Sequence, residues 1–278
     1  MEFTRSFETA VAQSVRERYE LLEVRNAAAI LQATNPARMA QVEAVLNGFS
    51  VLTTDLLTQG GQETALAARL NGGFRSLGWR EGRVDVEVAL NLRKMPYKPA
   101  NETAPEVITT KVPSEGYKVD NFADRIALDV EWNAKDGNLD RDIAAYRSLY
   151  DTALIDGAIL VTRTLEIREF ARALGQGEVG LEAGMTDAEA KKLLNTTTTT
   201  NLKKLADRLG RGDSGGCPIL VIAICDRTWD NFEVEPRDVA VPKIVADLAY
   251  QRSKKAQKPA AGAASDDEAD AEDADTQD

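Results

Sequence analysis

Apolar positions recur at helical spacing from residue 5 to 31, where Phe7, Val11, Val15, Tyr19 and Leu22 fall on one stripe and predict an amphipathic helix. Asn35-Pro36 opens a second helix, because proline suits the first helical position, and the pattern carries it to about Leu57. A shorter helical piece covers Glu63 to Leu70. The period then changes. In "GRVDVEVALNLRK", Val84, Val86, Val88 and Leu90 alternate with Asp85, Glu87 and Asn91, the two-residue repeat of a strand. "MPYKPANETAPE" reads as a loop, and two strands follow at roughly 117–120 and 125–132, joined by the tight Asn121–Asp124 connection.

Asn138 is placed to cap a helix from Leu139 to Tyr150, with Asp140 and Asp142 in its first turn and Leu139, Ile143, Tyr146 and Tyr150 inward. "GAILVTR" (157–163) is a short buried strand, so 126–163 predicts a strand–helix–strand parallel crossover. Further on come a helix at 165–175, a capping box at Thr186 and Glu189, and a short basic helix after Asn201. A central strand is expected at 217–225, then a final strand and helix in 237–250. The fold class is mixed α/β, a central mixed sheet flanked by helices. One domain spans 1–264, with helices over 1–75 and a core over about 80–250.

Charge adds a qualification. The net charge of −11 argues against a nucleic-acid partner until the last fourteen residues are set aside. Residues 265–278 hold 8 acids and no base and read as a disordered acidic tail, so the remaining chain carries 37 acids against 34 bases. Cys217 and Cys225 are too few for a disulfide framework, which makes a reducing cytoplasm the expected compartment. No membrane partner is expected, since no apolar run approaches the ~20 residues of a span. The chain has no histidine, which excludes histidine triads and histidine-ligated metal hydrolases. Hydrolytic chemistry here must use carboxylates, lysines, hydroxyls and bound metal.

The carboxylates of "YKVDNFADRIALDVEWNAKDGNLDRD" then stand out. Asp129 and Glu131 are two apart on a strand and share one face, ~7 Å apart, with Asp120 on the preceding strand able to turn toward them. Gathered acids disfavour each other's ionisation unless a cation compensates, and a hard divalent ion such as Mg²⁺ fits oxygen ligands. The competing reading is the solvated face of an edge strand, which the crossover makes less apt. Lys135, on a continued strand, shares their face and could touch a phosphate or simply neutralise Asp136.

An acid, a short hairpin, acid–x–acid on a strand and then a helix together resemble the PD-(D/E)XK nuclease core. "VDNF…IALDVEWNAKDGNLDRDIAAYRSLYD", with the later "NTTTTTNLKKL…GGCPILVIAI", resembles more narrowly the BglII-type restriction endonucleases over about residues 115–225. That resemblance implies a type II restriction endonuclease. Such an enzyme is a Mg²⁺-dependent homodimer that hydrolyses both strands of double-stranded DNA at a short palindromic site, leaving 5′-phosphates. A cognate DNA methyltransferase is implied alongside it. Asp120, Asp129 and Glu131 would be the catalytic, metal-holding carboxylates. Two positions depart from the pattern: Asp129 stands where Glu is expected, and Glu131 stands where BglII-type enzymes carry Gln and many relatives Lys. A repair or junction nuclease on the same core, or a non-catalytic DNA-binding protein, are the alternatives.

The threonine run at 196–200 either caps a helix or, beside a nuclease site, offers hydroxyls to phosphates and base edges. Thr197, Thr198, Thr199, Thr200, Asn201 and Lys203 are therefore candidate DNA contacts, with Lys204, Arg208 and Arg211 adding positive charge. Asn133 is another candidate, with a turn-forming role as its rival. "GRGDSGG" (210–216) lacks the order of a phosphate-binding loop and reads as a turn.

Overall fold

A computed structural model describes residues 2–58, 64–194 and 198–257. Thr197 and the acidic tail lie outside these residues. Seven strands form one mixed sheet: β1 (Phe3–Thr4), β2 (Tyr19–Val24), β3 (Arg80–Lys94), β4 (Glu106–Ala123), β5 (Ile126–Val130), β6 (Gly157–Arg163) and β7 (Ile219–Ile224), in the order β1-β2-β7-β6-β5-β4-β3. β5, β6 and β7 are parallel, and the other neighbours are antiparallel. The mixed α/β expectation holds.

The helices are α1 (Phe7–Ala10), α2 (Gln13–Arg18), α3 (Ala27–Thr34), α4 (Pro36–Gly48), α5 (Thr53–Leu57) and α6 (Ala65–Ser76) before the sheet centre. After it come α7 (Gly137–Asp151), α8 (Ile167–Gln176), α9 (Glu178–Glu182), α10 (Asp187–Ala190), α11 (Leu202–Arg211) and α12 (Arg237–Gln257). One face of the sheet packs on α3, α4, α6 and α8 through Leu31, Met39, Leu46, Leu70 and Phe74, with Ile126, Leu128 and Val130 from β5. The other packs on α7 and α11 through Leu139, Ile143, Tyr146, Leu205 and Leu209, with Ala127 from β5. Covered on both sides, β5, β6 and β7 are buried at every residue, as a crossover sheet requires.

The expected single helix at 5–31 is instead two short helices, strand β2 and α3. "YELLEV" pairs with β7, and its buried Glu23 accepts from the backbone of Ala28 at 2.7 Å and from Ser6. Arg25 and Asn26 then take positive φ and turn the chain into α3. The helix expected to reach Leu57 breaks after Gly48, because Val51 bridges to Trp229. No strand forms within 237–250; α12 runs through it with Pro242 inside. The two cysteines are free and buried. No helix among the described residues is long and apolar enough to cross a membrane.

Candidate active site

The turn between β4 and β5 places the acids. Ala123 pairs with Ile126, Phe122 with Ala127 and Asn121 with Leu128, so the same register sets Asp120 opposite Asp129. Opposed residues of an antiparallel pair share a face, and the Asp120 N–H donates to Asp129 Oδ1 at 2.6 Å. Against β3 the register of β4 slips between the Arg80–Phe122 and Gly82–Val119 pairs, leaving one extra residue at Asp120–Asn121. Such a bulge re-aims a side chain, a device common beside active sites. A second bulge follows at Glu115–Gly116, where a Cβ on Gly116 would meet the Val84 carbonyl oxygen at 1.5 Å. Between the bulges, β3 and β4 wall an open cleft of about 400 Å³ lined by Arg83, Lys118, Asp120, Asp129, Glu131 and Arg141.

Asp129 and Glu131 sit at the cleft's inner end, 5% and 6% exposed. Helix α7 closes it. Its first turn faces Asp140 outward, while Asp142 is only 3% exposed and turned to the sheet. Four residues on, the fully buried Tyr146 donates its hydroxyl to Asp129 Oδ2 at 2.5 Å. Burial and the adjacent Asp129 carboxylate hold the Tyr146 hydroxyl well above its ordinary pKa, so it stays a neutral donor. Asn138 does not cap the helix; its amide lies 3.5 Å from Glu131 Oε2.

Electrostatics here are unfavourable by construction. Burial, then Asp142 and Asp120, push the Asp129 carboxyl up to about 7. Burial, then Asp142 and Asp129, push Glu131 up to about 9. Burial raises Asp120 and Asp142 as well, the latter despite Arg141 beside it. Asp142 Oδ1 accepts from Arg141 at 3.0–3.1 Å, whereas its buried Oδ2 has no hydrogen-bond donor. The Asp142 and Glu131 carboxyls lie within hydrogen-bonding reach of each other, a contact that stands only with a proton or a cation between them. Among the described residues no three acids form a ready-made ion cage, but an all-oxygen set with an orphaned buried oxygen suits a hard divalent cation. Asp142, Tyr146 and Arg141 were not singled out from sequence as site residues. Their signal is the acid–x₃–Tyr spacing on the inner stripe of the helix.

The expected DNA contacts divide. Lys135 and Thr198 are exposed, and Lys203 is exposed but ion-paired with Asp207 at 3.2 Å. Lys135 is not on a continued strand with Glu131, since β5 ends at Val130 and Asn133 turns with φ +57°. Thr200 and Asn201 are buried: Thr200 Oγ1 donates to the Glu131 carbonyl at 2.8 Å, and Asn201 caps α11, accepting from Lys204 N–H at 3.1 Å. Thr199 Oγ1 and Asn133 Oδ1 both accept from the buried Arg163, at 2.9 and 3.4 Å. Nor does α11 offer the free positive face expected of it. Lys204 binds Asp136 at 2.9 Å, Arg208 clasps Asp140 at 2.7–2.8 Å, and Arg211 binds Asp213 at 2.8 Å.

No curated protein matches the chain. The family described as Restriction endonuclease BglII/BglIII matches residues 19–224, from the first residue of β2 to the last of β7 and about three quarters of the chain. With buried acids at the end of a cleft in that matched sheet, the chain belongs to the BglII/BglIII restriction endonuclease family and is a type II site-specific endonuclease acting on DNA.

Proposed function

We propose that the protein hydrolyses both strands of double-stranded DNA at a short palindromic site with Mg²⁺, leaving 5′-phosphates, and that Asp120, Asp129 and Glu131 are its catalytic carboxylates. The observation that carries this is the buried cluster in which Asp129 and Glu131 are pushed up to about 7 and 9 beside the donorless Asp142 oxygen. Such repulsion is relieved when a cation binds. Asp120, Asp129 and Glu131 would hold the ion, with Asp142 behind them. Bound there, a divalent cation supplies Lewis acidity toward the phosphate and lowers the pKa of a coordinated water.

The chain's own groups do the rest. Tyr146 and the Asp120 N–H fix the two oxygens of Asp129, so that carboxylate is presented in one orientation. Glu131, whose carboxyl is held well above the usual range by burial and then by Asp142 and Asp129, is the group to accept the attacking water's proton. Arg141 lines the cleft with a solvent-facing guanidinium and is placed to meet a phosphate. Lys135, on the segment after Glu131, and Thr198, on the loop bonded to that segment, are exposed candidate DNA contacts, and Lys203 on α11 is a third. Two-fold symmetry of a palindromic target implies a homodimer, and self-protection implies a cognate methyltransferase.

Plasmid incubated with the protein and Mg²⁺ should give discrete fragments, and none with a chelator. A smear would make it an unspecific nuclease. No cutting under any divalent metal would overturn the reading. Sedimentation of a monomer both free and on DNA would remove the dimer.

A further inference from the structure

Glu131 stands where the sheet ends. Its N–H makes the last parallel-ladder bond, to the Val161 carbonyl at 2.8 Å. Its carbonyl is held by side chains: Thr200 Oγ1 donates at 2.8 Å and Thr162 Oγ1 at 3.2 Å. Thr162 belongs to the neighbouring strand, but Thr200 arrives from a loop 69 residues away in sequence.

That loop is stitched to the segment following Glu131. Thr200 N–H donates to the Ala134 carbonyl at 2.9 Å, Asp136 N–H donates to the Thr198 carbonyl at 2.9 Å, and Lys135 bridges Thr199 antiparallel. Buried Arg163 spans the seam, donating to Thr199 on one side and Asn133 on the other. Residues 133–136 and 198–200 therefore form one unit. Its outer edge, with Lys135 and Thr198, is exposed, and its inner end, Thr200, bears on the Glu131 backbone.

We propose that Thr200 is a positioning residue that ties the threonine loop to Glu131, so that DNA engaged by the outer edge of this seam sets the geometry of the carboxylate. The inference rests on the nuclease reading. A β-branched hydroxyl residue suits the position: the methyl fills the core while the hydroxyl reaches the carbonyl. Coupling through such a seam is a matter of backbone placement, so its signature is a change in cleavage rate on DNA already bound.

The test uses full-length Thr200→Val, which keeps the shape, and Thr200→Ser, which keeps the hydroxyl. The probe is a duplex carrying a site that the wild type is found to cut in plasmid DNA. The expected result is single-turnover cleavage about 10-fold slower or more in T200V, DNA binding in Ca²⁺ within about 3-fold of wild type, and recovery in T200S. Thr198→Ala should slow the wild type but add little in the T200V background, since the link is already cut. T200V cutting at the wild-type rate overturns the proposal. So does a T200V loss that T200S does not recover, or strictly additive effects of T198A and T200V. If T200V does not fold, T200S and T198A still decide: T200S slowed as much as an unrelated loop change sinks the hydroxyl's role. Failure of the wild type to cut any DNA would instead sink the nuclease reading.

Discussion

Strand β4 passes through two environments, and they treat charge in opposite ways. In its outer part it pairs with β3 as a two-stranded ribbon exposed on both faces; Leu90 is 60% exposed and Met95, just beyond, 75%. There charges answer each other across the strands, Lys111 with Glu87 at 2.9 Å and Lys94 with Glu106 at 3.1 Å. In its inner part the same strand meets β5 and α7, and four acids crowd together, of which Asp142 is ion-paired with Arg141. Pairs that water could solvate anyway add little, whereas unpaired charges held from water define a site.

Breaking the inner cluster should therefore have the largest effect. Asp120→Ala, Asp129→Ala and Glu131→Ala are each expected to lower single-turnover cleavage by at least about 10³-fold while DNA still binds in Ca²⁺, since metal coordination goes and phosphate contacts remain. Two of the three cutting near the wild-type rate would remove the site assignment.

Tyr146→Phe keeps the packing and deletes only the hydroxyl on Asp129. An orienting partner of this kind is worth roughly 10–100-fold in activity, with the loss read in single-turnover rates at saturating Mg²⁺. A loss seen only below saturating Mg²⁺ would place the hydroxyl's effect in metal affinity instead.

Next comes pH. Asp129 and Glu131 have folded-state pKa values raised to about 7 and about 9, so between about pH 4 and those values the native state holds protons that the unfolded chain has released. Stability of the metal-free protein thus falls as pH rises through this window, by up to about 1.4 kcal/mol per pH unit for each group. Ca²⁺, binding the deprotonated acids, should raise the melting temperature more at pH 9 than at pH 6. A metal-free melting temperature flat from pH 5 to 9 would deny the cluster its strain.

The smallest effect belongs to the ribbon. Lys111→Ala or Glu87→Ala removes an exposed pair and should change unfolding free energy by no more than about 0.5 kcal/mol in a denaturant melt. A loss several times larger would mean that the ribbon face is covered.

Much of this was legible from the chain. Alternation found β3, the apolar runs found β6 and β7, and the Asp–Asp–Glu spacing brought three acids into one cleft. The N-terminal stripe misled, because Tyr19 and Leu22 satisfy helical spacing while pairing with β7 decides the conformation. The break at Arg25–Asn26 carries no glycine to announce it. Asp142 was read as a first-turn charge, whereas it lies on the buried face of α7 with Leu139, Ile143 and Tyr146. The cations of α11 looked available for DNA because nothing local reveals that Asp136 and Asp140 come to meet them.

The two-residue turn Asp124–Arg125 acts as a ruler. With Ala123 closing on Ile126, the interval of nine residues from Asp120 to Asp129 is what brings them opposite each other. Adding one residue to this turn would shift the pairing and send Asp120 to the far side of the strand, away from its partner. Arg38 grips the turn from α4, its Nε 2.7 Å from Asp124. A change of length at the ribbon's outer end leaves this pairing untouched, whereas one at the turn alters which residue faces Asp129.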